Sequence, residues 1–416
     1  VRRRHHRYTA RARSPLAPRR AALTLLGLVA ALVLLAVVQL LRPVPAAAAR
    51  LELASSTRLP GSPALPFPYG TEAIVAVQGV AVMASSGGAA PIPIASVTKM
   101  MTALVVLRDR PLELGASGPS ITVTPADVAT YEADAASGDS VVPVRAGERL
   151  SELEALEGLL IPSGDNIADL LARWDAGSTS AFVGRMNALA RRLGLRHTHY
   201  AGVSGVDPAT VSTAADQLRL AEVCMQNPVF ASIVSLPQVT LPLAGVVFNV
   251  DGDLGTDGIV GVKTGWIPQG GASFVFAARR RVGARHVLLL GALLGEGGAT
   301  PLPSALAAAE RLVRAAGVLL RPEQVVAPGE LVGAIAAPWA PPVRLVAARG
   351  ATLLAWPGAR VSLRYEPASR GARAPVAAGA TVGTLTASLG EEAVSVPVVA
   401  QSALPAAPLG WRLTHL

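Results

Sequence analysis

Apolar positions along the chain change their period twice. Residues 21–41 form the first apolar run and show no period, with only Thr24 and Gln39 as polar interruptions. As a helix rising ~1.5 Å per residue, this run reaches ~30 Å, the thickness of a bilayer core. Residues 43–70 are rich in Pro, Ala and Ser and read as a linker. An apolar stretch at 73–83 predicts a buried strand, or a strand pair turning near Gly79. The spacing then becomes helical over 96–108, 150–160, 166–174 and 182–195. Segments 259–262 and 273–278 read as strands flanking a Lys263-Thr264-Gly265 turn, 286–294 as a third strand, and 302–316 as a late helix. From about Arg321 the helical spacing disappears, and short Val/Leu runs at 343–347, 360–365, 380–387 and 393–400 alternate with Gly and Pro. That is the pattern of a small all-β module. No repeat of solenoid period is present.

Charge sharpens this outline. The formal net charge is +9, but residues 1–50 hold ten arginines and no acid. The remainder has 27 basic and 28 acidic residues, a near-neutral body that argues against nucleic-acid binding. The basic excess is a tail: Arg2, Arg3, Arg4, Arg7, Arg11, Arg13, Arg19 and Arg20 precede the apolar run, and Arg42 stands alone after it. The positive-inside rule then puts the N-terminus in the cytoplasm and exports the body. A cleaved signal peptide competes with this reading, because 46–49 are small residues. The run exceeds the ~7–15 residues of a signal h-region, which favours an uncleaved anchor. The expected organisation is a basic tail at 1–20, a transmembrane segment at 21–41, a linker at 42–70, a catalytic body at 71–320 and a β-rich domain at 321–416. Aromatics make up 4% of the chain, so the core is expected to be Ala, Leu and Val. The lone Cys224 has no internal disulfide partner and reads as a small buried apolar residue.

The candidate chemistry sits at the two lysines. Every other basic side chain, apart from six histidines, is arginine, 35 in all. Lys99 closes Ser96-Val97-Thr98-Lys99, and Lys263 opens Lys263-Thr264-Gly265. A buried lysine amine can lose its proton and act as a base, whereas arginine effectively never does. At a helix start, Ser96 and Lys99 lie one turn apart on one face, so a neutral amine reaches the hydroxyl proton. The serine's own backbone N–H is exposed there, half of a natural oxyanion hole. A second cation lowers a lysine pKa, and Lys263 is a candidate for that role. Between the lysines lies Ser163-Gly164-Asp165-Asn166, a polar turn before an apolar helix, which on local grounds alone is a helix cap. His197 and His199 are a close pair with no third ligand at zinc spacing.

Order and spacing join these pieces. Ser96 to Ser163 is 67 residues and Ser163 to Lys263 is 100, and the sequence nucleophile with lysine, serine turn, K-T-G strand is that of penicillin-recognising serine enzymes. With 94–104, 182–195, Ser212-Thr213-Ala214-Ala215-Asp216 and 374–385, the chain resembles the low-molecular-mass penicillin-binding proteins that are serine D-alanyl-D-alanine carboxypeptidases of peptidase family S11. The resemblance covers about 71–416. It implies an α/β (α+β) penicillin-recognising domain like the β-lactamase fold, plus a small C-terminal all-β domain. By that resemblance Ser96 is the acylated nucleophile, Lys99 its base and Ser163 a proton shuttle. Lys263 and Thr264 would bind the terminal carboxylate of a D-Ala-D-Ala stem peptide, with the N–H groups of Ser96 and Trp266 as oxyanion hole beside Gly265. No cofactor and no metal are implied; β-lactams are expected as covalent ligands. The chain departs from the family in two places. The second motif is usually S-x-N, but Asp165 holds the third place and Asn166 follows it, leaving either to serve. The chain also ends in a Pro-rich stretch that is a poor helix, so the N-terminal run is expected to anchor it. Two alternatives are a serine β-lactamase, which would need a deacylating base that no Glu-x-x-Leu-Asn-like segment supplies, and a weakly catalytic wall-binding protein, suggested by Asp165.

Overall fold

The computed structural model describes residues 17–45, 47–368 and 374–415. Of the basic tail, all arginines up to Arg13 lie outside the described residues. Its centre is a five-stranded antiparallel sheet in the order Ile259–Ile267, Gly271–Val282, Arg285–Glu296, Glu72–Val77, Ala81–Ser86. Side chains alternate between its faces with period two. Val275, Ala277, Leu290 and Ala292 join the core that holds helices Lys99–Asp109 and Asp165–Ala176, while Phe274, Phe276, Leu289 and Leu293 join the core on the other side. Both faces are therefore buried, and this is why the strands read as nearly continuous apolar runs. Helix Ala214–Gln226 covers one face and helix Pro301–Leu319 the other. The predicted pair turning near Gly79 is present, with Gly79 at φ +71.

The helical spacing was read correctly at four places: Lys99–Asp109, Glu152–Leu160, Asp165–Ala176 and Thr179–Leu193. Helix Glu152–Leu160 starts on a capping box, in which the Ser151 side chain accepts from the Glu154 N–H and the Glu154 carboxylate accepts from the Ser151 N–H. The Lys263-Thr264-Gly265 segment is on a strand, as the motif order implies, and is not a turn between two strands. It lies inside strand Ile259–Ile267, and the chain reverses after it. Alternation of Val262, Thr264 and Trp266 carries the strand on through the motif, so the polar residues there mark a site on a strand and not a turn.

Beyond helix Pro301–Leu319 a seven-stranded sheet forms, in the order Ala48–Leu51, Leu331–Ala337, Ala340–Ala347, Glu392–Ala400, Thr381–Leu389, Arg360–Pro367, Ser56–Arg58. Its two outermost strands come from the segment expected to be a linker. Ala48–Leu51 pairs with Gly333–Ala336, and Ser56–Arg58 pairs with Ser362–Arg360. Pairings of such sequence separation leave no local pattern, so Pro and Ser content alone misread them. Very short outer strands also limit sheet-to-sheet association. A tight interlock joins the two sheets: Glu391 N–H donates to Gly79 O at 2.8 Å, and Gly390, at φ +61, lies so close to Val80 O that a Cβ would meet it at 1.7 Å.

Helix Ala17–Leu41 stands apart, and its apolar stretch Arg19–Leu41 has no part buried within the protein. The C-terminus, expected to be a poor helix, forms a seven-residue one, Leu409–His415. It packs on the far end of Ala17–Leu41, where Arg412 donates to Leu40 O, and Trp411 meets Trp339 edge-on at 5.2 Å.

Candidate active site

Strand Ile92–Pro93 leads into a single 3₁₀ turn, Ala95–Thr98, which runs directly into helix Lys99–Asp109. Ala95 has φ +50, a costly value for a residue with a side chain. That kink directs Ser96 into the cleft. Gly205 makes room for it: at φ +92, a Cβ there would stand 1.9 Å from Ala95 O. Thr98 Oγ1 donates to the same carbonyl at 2.7 Å and locks the turn.

Lys99 is fully buried at the helix start, and its Nζ donates to Ser96 Oγ at 2.7 Å, to Asp165 Oδ1 at 2.7 Å and to Ser204 O at 3.1 Å. Burial lowers the pKa of this amine, and the adjacent Asp165 carboxylate pulls it back upward. Ser163 belongs to the turn between helices Glu152–Leu160 and Asp165–Ala176. It too is forced to a positive φ, +67, and its buried Oγ has no hydrogen-bond partner among the described residues. Three non-glycine residues among those described have φ in this range, and two of them are Ala95 and Ser163.

The pair Asp165 and Asn166 separates cleanly. The Asn166 amide is committed to main chain: Oδ1 accepts from Val142 N–H at 2.9 Å and Nδ2 donates to Val142 O at 2.8 Å. Asn166 therefore pins the 140–142 strand-like loop and does not turn toward Ser96. Asp165 faces the reactive pair, with Oδ2 accepting from Ser140 N–H at 3.0 Å. Residues i and i+1 at a helix start point about 100° apart, so only one can face the cleft.

Across from them, strand Ile259–Ile267 is the outer strand of the central sheet. Lys263 and Thr264 are both buried, and Lys263 Nζ donates to Thr264 O at 2.9 Å. Burial and the nearby Lys99 push the Lys263 amine down to about 7, against the opposing pull of Asp165 and Asp251. Gly265 touches the Ser96 turn directly: a Cβ there would stand 2.8 Å from Ser96 N and 3.0 Å from Ile94 O. The third place of K-T-G is therefore fixed by close approach. Trp266, half exposed, follows at the rim. Contacts thus bring Ser96, Lys99, Asp165, Lys263 and Gly265 together, with Ser163, Thr264 and Trp266 adjoining them in sequence, while Asn166 is bonded to Val142.

Sequence reasoning missed the main-chain partners Ser204 O and Ser140, whose side-chain identity is irrelevant to the contact. It also missed Asp251, a buried carboxyl whose pKa burial raises to about 6. Among the described residues no group of three or more His, Cys, Asp or Glu has metal-binding geometry. Chemically, the cleft offers a hydroxyl with an amine in contact, a second hydroxyl without a partner, and a buried cation for an anionic group.

Comparison with known proteins gives a consistent result. A family model described as D-alanyl-D-alanine carboxypeptidase matches residues 70–290. A D-alanyl-D-alanine carboxypeptidase of Mycobacterium tuberculosis, DacB2, is 33% identical over 215 residues, 50% of this chain and 69% of the relative. A D-alanyl-D-alanine carboxypeptidase of Streptomyces strain K15 is 32% identical over 202 residues, 44% of this chain and 67% of the relative. The crystal structure of the Streptomyces K15 DD-transpeptidase superposes with a TM-score of 0.55 at 26% identity, covering 62% of this chain and 100% of that one. Penicillin binding protein 5 of Haemophilus influenzae shares the fold over 80% of this chain and 97% of its own, at a TM-score of 0.57 and 20% identity.

Proposed function

The chain belongs to the D-alanyl-D-alanine carboxypeptidase family, peptidase S11, and we propose that it removes the terminal D-Ala of peptidoglycan stem peptides through an acyl-enzyme on Ser96. The observation that carries this reading is the fully buried Lys99 amine, 2.7 Å from Ser96 Oγ. Ser96 Oγ attacks the carbonyl carbon of the penultimate D-Ala as its proton passes to Lys99. Cleavage of the peptide bond leaves an amine that must gain a proton, and the proposed relay is Ser163 Oγ, a reading its lack of a hydrogen-bond partner supports. Water then attacks the ester, returns a proton to the same relay and frees Ser96. The N–H groups of Ser96 and Trp266 stabilise the oxyanion, and Lys263 with Thr264 holds the substrate's terminal carboxylate. A β-lactam follows the first step, opening its ring on Ser96.

Location follows from the apolar helix. Its 23 residues Arg19–Leu41, with an 18-residue window of mean hydropathy 2.8, fit a single span that holds the body outside the membrane of a bacterial cell. The Lys99–Asp165 contact favours a second reading, a wall-binding protein that is acylated but turns over slowly, since a carboxylate at 2.7 Å stabilises the protonated amine. Release of D-Ala from a peptide ending in D-Ala-D-Ala, with Ser96→Ala as control, separates the two. Steady release lost in the variant supports the carboxypeptidase, and a single stoichiometric turnover supports the second reading.

A further inference from the structure

Helix Thr179–Leu193 and the residues after it gather positive charge that the catalytic chemistry leaves unused. Between Asp175 and Asp207 there is no acidic residue, yet the segment carries Arg185, Arg191, Arg192 and Arg196 with His197 and His199. Past residue 50 the chain is otherwise balanced, so the excess is local. Arg185 is spent on Asp109 and Asp175 at 2.7 Å each. Among the described residues Arg191, Arg192 and Arg196 form no ion pair, in contrast with Arg110, Arg173, Arg285 and Arg314.

A cavity of about 590 Å³ opens at this place, lined by Arg191, Arg196, His199, Asn187, Thr198 and Leu195 and by no carboxylate. The nearest acid, Asp216, lies behind its floor, where Oδ2 accepts from His197 N–H and Thr198 Oγ1, both at 2.8 Å. Gly194 turns the chain at φ +73, and the Arg219 guanidinium, which also faces Glu222, comes within 3.8 Å of where its Cβ would stand, adding a third guanidinium at the rim. Arginines in the last turn of a helix offset its dipole, which accounts for Arg191 and Arg192. It does not account for Arg196, beyond the helix, or for Arg219, in the middle of Ala214–Gln226. Like charges around a concave wall repel one another unless an anion enters.

We propose that this cleft binds a phosphate-bearing anion, with Arg191 and Arg196 as forked donors and His199 and Arg219 at its sides. Guanidinium forks match phosphate oxygens two at a time, and the volume admits a group larger than inorganic phosphate, of the size of a glycerophosphate or sugar phosphate. Such phosphates occur on anionic lipids and on phosphodiester polymers of the wall. The cleft shares no lining residue with the one at Ser96, Lys99 and Lys263, although His199 bridges Val211, whose strand Val211–Ser212 pairs with Ile92–Pro93 ahead of Ser96. A ligand here tethers the enzyme without blocking its substrate.

The test uses the full chain in neutral-detergent micelles, titrated calorimetrically with inorganic pyrophosphate. The wild-type protein is expected to bind saturably, and Arg191→Gln and Arg196→Gln to weaken binding about tenfold each, the loss of one charge-assisted contact. Melting temperature and the rate of β-lactam acylation should stay unchanged in both variants. Affinity should also fall with added salt. No saturable heat, equal affinity in the double variant, or a loss of acylation in step with binding would overturn the proposal. Nanodiscs then separate the sources. If phosphatidylglycerol discs weaken pyrophosphate binding relative to phosphatidylcholine discs, the ligand is a lipid headgroup. Competition by soluble poly(glycerol phosphate) alone assigns a wall polymer. Competition by neither refutes a phosphodiester ligand.

Discussion

The Lys99 amine feels two opposed influences, burial that favours the neutral base and the Asp165 carboxylate that favours the cation. Removing the carboxylate should let burial act alone. In Asp165→Asn the Lys99 pKa falls, the neutral fraction at a given pH rises, and the acid limb of kcat/KM moves to lower pH. An unmoved limb would mean that Lys99 is not the base. The two lysines should also differ in their tolerance of arginine. Lys99→Arg keeps its proton and should be nearly as inactive toward a β-lactam as Lys99→Ala. Lys263→Arg should keep part of the activity. Because the Lys263 amine sits near 7, its charge is lost as pH rises through that value, and substrate-carboxylate binding with it. Arginine stays charged, so Lys263→Arg should flatten the alkaline limb. A pH series on the four variants checks all of this. Asn166→Ala should behave differently: it strands Val142 N–H and O, costing about 1–3 kcal/mol of stability for each group, read as a fall in melting temperature. A kinetic loss with no such fall would contradict its supporting role.

At the scale of elements, the cleft depends on close backbone approaches at Gly205 and Gly265, of which Gly265 is the one that meets Ser96 itself. Gly265→Ala puts a Cβ 2.8 Å from Ser96 N, forcing strand and turn apart. A displacement approaching 1 Å costs on the order of 10²-fold in rate. Acylation should fall by about that factor while circular dichroism stays unchanged; a wild-type rate would show that the strand and turn do not need to touch. The elements that could be read from sequence were those with a local period. Helices at 165–176 and 179–193 carry their own apolar stripe, and 99–109 is a nearly continuous apolar run, buried from Lys99 to Leu107. Helix Pro125–Ser137 was not recognised because it buries only Asp127 and so carries no apolar stripe, and Ala214–Gln226 was not recognised although its stripe of Ala214, Leu218, Ala221 and Cys224 and its cap Thr213 mark it. The edge strands at 48–51 and 56–58 owe their existence to partners some 280–300 residues away. In the site, side-chain chemistry was legible and main-chain chemistry was not: Ser96, Lys99 and Lys263 stand out by type, whereas the Ser204 carbonyl needs the fold to bring it to Lys99. The choice between Asp165 and Asn166 likewise required knowing that Val142 would claim the amide.

On the scale of the whole molecule, an apolar helix, a β-rich domain and the catalytic body follow one another, with the C-terminal helix folded back on the end of the first. If helix Ala17–Leu41 spans the membrane, carbonate at high pH should leave the full chain in the membrane pellet, and protease added outside spheroplasts should reach the body. Release into the carbonate supernatant would contradict the span. The central claim is that Ser96, activated by Lys99, becomes acylated, and mass spectrometry of the full chain after penicillin exposure tests it most directly. The account predicts one added penicilloyl mass, mapped by peptide analysis to Ser96 and absent from Ser96→Ala; an adduct on Ser163, or none, would contradict it.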